Sequence, residues 1–391
     1  MSRRTSRSFW PWVPLLLSLG SLLATPAVRG QQHGPQHPSG PLHEPAGLVP
    51  HAIAVGDFNG DGVPDLAVPA SAERKVTVLL SDGKGGFAAN HAYPTAAGPV
   101  WVEVGDWNGD GRLDLVTANS GGGSLTLYFG DGNGRFAGAQ EVPGIHGPAS
   151  VVAVDVNRDG RPDLAVVQAR ESRVVILKNA GGRFEFLGGY PVGRAPHIVT
   201  RVDLNGDRIP DLVVGSFARH VLSVLLGKGD GSFREAGEVQ LGRFPHYVAV
   251  GDWNRDGHQD LAVVCAGEDA VVLLQGDGTG ALRKVGTLPT GPNPHGLVAA
   301  DFNGDGIPDL AVSTRSLGDL SVFLGDGKGG FTMLPRIQID QDIIALAAAD
   351  FDRDGKLDLA LVSASHNSVV MLRGDGKGGF APFSGPASPQ Q

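Results

Sequence analysis

Acidic and amide side chains recur along this chain at a spacing that could hold a cation. The stretch DFNGDGVPDL places Asp57, Asn59, Asp61 and Asp65 at positions 1, 3, 5 and 9 of a short loop, with Gly62 at position 6. Alternate oxygen-bearing side chains on a tight turn converge on one hard ion, the glycine permits the turn, and the carbonyl at position 7 adds a further oxygen. Calcium suits this set. Magnesium prefers a tighter octahedron with retained water, and zinc or copper favours nitrogen or sulfur. The loop also needs a cation, since two carboxylates about 5 Å apart repel by roughly 3 kcal/mol at an effective dielectric of about 20.

The same loop appears six more times. Its positions are filled by Asp106, Asn108, Asp110 and Asp114; by Asp155, Asn157, Asp159 and Asp163; and by Asp203, Asn205, Asp207 and Asp211. The last three copies supply Asp252, Asn254, Asp256 and Asp260; Asp301, Asn303, Asp305 and Asp309; and Asp350, Asp352, Asp354 and Asp358. Up to seven calcium ions are expected. In the fourth copy Arg208 replaces the turn glycine, so that site is the one expected to stay empty, whereas the fourth carboxylate of the seventh copy is expected to bind most tightly. Position 12 is Val68 in the first copy, where an EF-hand requires Glu, so these are shorter loops suited to joining two strands. Asx turns capping hairpins would use some of the same residues without any metal. The loops hold 22 of the 41 acidic residues and explain the formal charge of −9. That charge argues against nucleic acid, which needs a basic face.

The elements that position these loops follow from the interval between them. The first Asp recurs at 57, 106, 155, 203, 252, 301 and 350, so one unit of 48 or 49 residues fills the chain beyond its first fifty residues. With 59 Gly and 27 Pro, a helical bundle is excluded. Each unit carries four short apolar strand signals: one entering the Asp-rich loop, one leaving it, one ending in a Gly-rich turn and one following that turn. Four antiparallel strands cannot bury both faces alone, and radial packing around an axis solves that problem. The expectation is an all-β fold, a seven-bladed β-propeller of four-stranded antiparallel blades. The large apolar residue at loop position 2, which includes Trp107 and Trp253, is expected to pack between blades. The single cysteine, Cys265, reads as a small buried apolar residue.

These motifs resemble the FG-GAP/VCBS repeat family, seven-bladed propellers related to the head of integrin α-subunits. The resemblance covers about residues 50 to 384, through the DxNxDGxxDL loops and turns such as GDGKGGF at 325–331 and 374–380. It implies calcium at the matched loop positions on one face of the disc, with partners commonly held by loops on the other. It supplies no ligand, because such folds carry adhesins, lectin-like binders and accessory domains of enzymes alike.

His51, His197, His246 and His295 each precede the first Asp of a loop by six residues and each follow a proline. They should ring the channel on the face away from the loops, either as residues bonded to a neighbouring blade or as a site for a metal, an anion or acid-base chemistry. The same face should carry Arg170, Arg173, Arg194, Arg219, His220 and Arg243 on one half, and Glu268, Asp269, Asp319, Asp340 and Asp342 on the other. A basic half would suit an acidic glycan or an acidic protein segment. No nucleophile or paired carboxylate stands out, and the Gly-rich turns lack the Gly-Lys-Ser/Thr ending that cradles phosphate.

Three arginines followed by an apolar stretch at 13–24 read as a signal peptide over 1–30, followed by a flexible Gln/His/Pro-rich leader at 31–48. The propeller is expected at 49–384 and a short tail at 385–391. The last unit is truncated after Phe383, so its outer strand would be short or completed by the leader. The chain is therefore read as an exported monomer, extracellular, periplasmic or on the cell surface, with no membrane-spanning segment after cleavage. Its expected role is recognition or adhesion toward a carbohydrate or protein partner. A polysaccharide lyase or hydrolase using the channel mouth, and a structural envelope protein, are the alternatives.

Overall fold

The computed structural model describes residues 43–339 and 342–383. The signal peptide, most of the leader, Asp340 and the tail at 385–391 lie outside the described residues. The strand signals become seven antiparallel sheets arranged as the blades of a propeller. In the second blade the chain runs through Pro99–Gly105, Asp114–Asn119, Ser124–Gly130 and Phe136–Pro143, from the axis outward, and each strand pairs with the next. The third, fourth and fifth blades repeat this plan.

Burial follows position in the blade. The second strands are covered on both faces, so Asp65–Ala70 and its counterparts are buried throughout and read as mostly apolar runs after the Asp. The outermost strands alternate, as in Phe87–Pro94, because one side faces solvent. The apolar residue at loop position 2 fills the space between blades: Phe58, Trp107, Val156, Leu204, Trp253, Phe302 and Phe351 are all at most 3% exposed. Trp107 and Trp253 thus pack between blades, as expected. Cys265 is buried as expected, and burial pushes its thiol up to about 11.

A recurrent hydrogen bond explains the Gly-rich turns. The N–H of the second turn glycine donates to the position 2 carbonyl of the preceding blade, as from Gly134 to Phe58 (2.8 Å), Gly231 to Val156 (2.9 Å) and Gly329 to Trp253 (3.0 Å). Gly134 has φ 79°, and a Cβ there would meet a Leu80 methyl at 2.4 Å, so both conformation and space require glycine. In the third blade the turn is one residue shorter and the Asn179 side-chain amide replaces it, donating to the Trp107 carbonyl at 2.9 Å. This accounts for the single interval of 48.

Ring closure differs from the expected boundary at 48/49. The seventh blade has three full strands, Ile343–Ala349, Asp358–Ser363 and Ser368–Gly374, and its outer edge is covered in two pieces. Phe380–Pro382 pairs with one end of Ser368–Gly374, and His43–Pro45 pairs antiparallel with the other. Ala46 is fully buried in the cluster that joins the first and seventh blades. The propeller thus takes in His43–Pro45 from the expected leader, which covers a strand edge that the truncated last unit would otherwise leave unpaired.

Candidate functional site

Within each Asp-rich loop the four positions do different work. Position 1 collects the backbone: Asp57 Oδ1 accepts from Gly60 N–H (2.8 Å) and Asp61 N–H (3.1 Å), and its Oδ2 accepts from Gly62 N–H (2.9 Å). Positions 3 and 5 lean on each other, with Asn59 Nδ2 donating to Asp61 Oδ2 at 3.0 Å. Position 9 is buried and clamps three strands. Asp309 accepts from Phe302 N–H (2.9 Å) on one oxygen and from Gly325 N–H (2.8 Å) on the other. Asp65, Asp114, Asp163, Asp211 and Asp358 repeat both bonds. Burial raises the position 9 carboxyls, to about 6 at Asp65, Asp211 and Asp358, against the lowering effect of those backbone donors. The clamp was not foreseen from the spacing, which treats the four positions alike.

Positively charged side chains distinguish the loops. At the seventh, Asp350, Asp352 and Asp358 bring three carboxylate oxygens within 4.8 Å of one another. Arg373 pairs there with Asp352 (2.7 Å) and Asp354 (3.0 Å), so the extra carboxylate comes with a guanidinium that competes for it. Arg353 reaches from the seventh loop to the Asp61 carbonyl of the first. At the fourth, Arg208 adopts φ 63° and its N–H donates to Asp203 Oδ2 at 2.9 Å, the bond Gly62 makes in the first loop. The replacement therefore leaves the loop's shape intact.

On the opposite face, the inner strands of the fourth, fifth and sixth blades have a register shift just after their starting proline, at Pro196/Ile198, Pro245/Val248 and Pro294/Leu297. Such bulges re-aim side chains, and they turn His197, His246 and His295 toward one another. The His246 ring centroid lies 5.1 Å from that of His197 and 4.1 Å from that of His295. His197 also stacks on Phe217 at 4.3 Å. Beneath them, Trp101 and Tyr247 approach from opposite sides of the ring at 5.9 Å, and Tyr247 lies 6.0 Å from His295. Burial holds His197 down to about 4 and His295 to about 3, and lowers His51 and His246 as well. These imidazoles are neutral near pH 7. His51 stands beside Ser71, at 3.1 Å.

Sequence reasoning passed over four channel residues. Trp101 and Tyr247 stand five residues before their loops, where the other blades carry Ala52, Ser150, Ile198, Gly296 and Ala345. Their bulk in a register of mostly small residues was the available signal. Glu103 accepts the Ala153 N–H at 3.2 Å while Arg201 donates to the Ala153 carbonyl at 3.0 Å, so one residue ties the second, third and fourth blades. Burial pushes the Glu103 carboxyl up to about 7.

The predicted basic half is largely neutralised within the molecule. Arg173 pairs with Glu171 (2.5 Å), Arg219 with Glu238 (3.1 Å) and Arg243 with Glu268 (3.2 Å). On the acidic half Asp342 holds Arg315 at 2.5 Å, and Asp319 lies 3.6 Å from Arg336. Among the described residues Arg170 and Arg194 are exposed and make no ion pair.

The FG-GAP-like repeat profile matches at 57–117, 106–166, 203–263, 252–312 and 310–361, each of the first four beginning on the first Asp of a loop. The chain belongs to the FG-GAP-like repeat family. No curated protein matches the chain. Among solved structures, this FG-GAP-like propeller resembles BBS1N in complex with ARL6DN, at 16% identity over 84% of this chain and 94% of that one, with a TM-score of 0.63. It also resembles an Agrocybe aegerita lectin (18% identity, 84% and 86% coverage, TM-score 0.53). A third is a periplasmic gluconolactonase of Pseudomonas aeruginosa (17% identity, 74% and 96% coverage, TM-score 0.51). At these identities the likeness establishes the propeller fold alone. No helix among the described residues is long and apolar enough to cross a membrane.

Proposed function

We propose that this FG-GAP-like propeller is an exported calcium-binding recognition module that holds a carbohydrate or protein partner on the face away from its Asp-rich loops. The observation that carries the calcium reading is the division of labour within the loops. Positions 1 and 9 collect most of the backbone N–H groups, while positions 3 and 5 take one each, Asn59 Oδ1 from Asp61 (2.9 Å) and Asp61 Oδ1 from Val63 (2.7 Å). The side chain of Asn59 meets only the Asp61 side chain and backbone, as Asn108 and Asn303 meet only Asp110 and Asp305. The oxygen atoms repeated at positions 3 and 5 in seven copies each accept a hydrogen bond within the loop and retain lone pairs that a cation among them would use. Each carboxylate oxygen that accepts one N–H keeps a second lone pair for it.

The recognition reading is supported by the opposite face, which does not repeat: its histidines, Phe217, Phe244 and the unpaired Arg170 and Arg194 differ from blade to blade. Two of the folds it resembles are described as a lectin that recognises non-reducing terminal N-acetylglucosamine and as BBS1N bound to ARL6DN. The test is to incubate the purified protein, in millimolar calcium, with neutral and acidic polysaccharides and follow retention and chain cleavage together. Retention without cleavage, weakened for acidic polymers by Arg194→Glu, is the expected result. Cleavage would replace this reading with an enzyme working at the channel mouth, and neither retention nor cleavage would favour a structural role.

A further inference from the structure

We infer that the channel mouth is a second cation site of a different class, where His246 and His295 seat one borderline-soft divalent ion of the zinc type and His197 supplies a further ligand. The first ground is tautomeric. His295 Nδ1 lies 2.6 Å from the Ile344 carbonyl oxygen, which can only accept, so Nδ1 carries the proton and Nε2 is left with a free lone pair. An imidazole whose other nitrogen donates to a backbone carbonyl is the usual arrangement of a metal-binding histidine.

The second ground is an orphan. His246 Nδ1, between the other two rings, is closed to solvent and has no hydrogen-bond partner. A buried polar nitrogen left unpaired costs about 1–3 kcal/mol, and a bound ion would satisfy it. The third ground is spacing. A ring nitrogen bound at about 2.1 Å places its imidazole centroid about 3.2 Å from the metal, so two ligands at a tetrahedral angle have centroids about 5 Å apart. The 5.1 Å between His246 and His197 matches that value, and the 4.1 Å between His246 and His295 is about 1 Å shorter.

Imidazole nitrogen favours zinc, nickel or copper over calcium, so the two faces would sort cations by ligand chemistry. Desolvation keeps these rings neutral, which leaves their lone pairs available near pH 7. Arg315 is the fixed positive charge facing the rings, and Asp342 holds it at 2.5 Å and offsets it. Among the described residues only Asp350, Asp352 and Asp358 already bring three ligand atoms within 4.8 Å. The histidine seat therefore closes on its ion, with His197 leaving the face of Phe217 to bind.

The experiment titrates the full chain with cobalt(II) in millimolar calcium, which keeps the carboxylate loops occupied, and reads the visible d–d bands of nitrogen-ligated cobalt and their displacement by zinc. One equivalent is expected. His246→Ala and His295→Ala should each weaken binding by more than the roughly 10- to 100-fold typical of losing an outer-shell partner, while a chain with the leader histidines His33 and His37 both changed to Ala retains it. Absence of the bands in the wild-type chain overturns the proposal without reference to any variant. So does binding that survives both channel substitutions, or that is lost with His33 and His37. A melt of each variant in calcium shows that it is folded, and His246→Gln replaces His246→Ala if the alanine variant is not.

Discussion

The two faces of the propeller are built on opposite principles. On one, seven Asp-rich loops of nearly the same sequence make the same bonds, so that a glycine replaced by Arg208 still leaves the loop in place. On the other, the same register holds His51, Val100, Ala149, His197, His246, His295 and Ile344 in turn. Repetition serves what every blade needs, namely a closed hairpin and a bond to its neighbour. Departure from repetition builds the one place where all seven blades meet, and there an odd residue meets other odd residues rather than copies of itself.

The largest expected effect tests whether the repeating face depends on calcium. Each ion bound at about a hundred times its dissociation constant would add about 2.7 kcal/mol, so chelation of several sites should lower the melting temperature by about 10 °C or more. An unchanged melt in chelator would end the calcium reading. Next, the two kinds of loop aspartate should separate. In chelator, Asp309→Ala leaves the Phe302 and Gly325 N–H groups unpaired in the interior and should cost about 2–4 kcal/mol in urea unfolding. Asp305→Ala should cost under about 1 kcal/mol. Equal costs would remove the division of labour between positions 5 and 9.

A smaller effect belongs to the channel. The Glu103 carboxyl, at about 7 in the folded protein, lies above its unfolded value, so its contribution to stability is present at low pH and is lost as pH rises through about 7. Glu103→Gln keeps an acceptor for the Ala153 N–H without the buried charge and should stabilise the protein by about 2 kcal/mol at pH 8, with a gain under about 1 kcal/mol at pH 5. Denaturant midpoints of both proteins at the two pH values decide this, and a gain that is the same at both would mean the carboxyl is not desolvated. The smallest effect sharpens the comparison among the loops themselves. Arg373→Ala removes the guanidinium from Asp352 and Asp354 and should tighten calcium at the seventh loop several-fold, about 1 kcal/mol or less for an exposed pair. Calorimetry showing no change at any site would place the seventh ion elsewhere or remove it.

How much of this was legible depended on whether a signal repeats. The Asp-rich loops, their interval and the large residue at position 2 appear seven times, so periodicity gave the blades, the interblade core and the candidate ligands. The interval of 48 was visible, but its cause, the Asn179 amide reaching the Trp107 carbonyl, needed the neighbouring blade in place. Arg173, Arg219 and Arg243 looked like an open basic patch because Glu171 and Glu238 had no assigned position and Glu268, placed on the acidic half, in fact lies against Arg243. Glu171 was only two residues away, yet sequence distance says little about which side chains face each other across a loop.

By itself, then, the sequence determined the number of blades, the strand order within each and the placement of the oxygen-bearing side chains, because these follow from local turn chemistry and a fixed period. Only the tertiary structure decided how the ring closes, with His43–Pro45 completing the seventh blade across more than 300 residues of chain, and which side chains meet at the axis. Trp101 and Tyr247, or His246 and His295, face each other only after the blades have been wound into a circle. Their separation is set by the geometry of the whole ring, which no single repeat encodes.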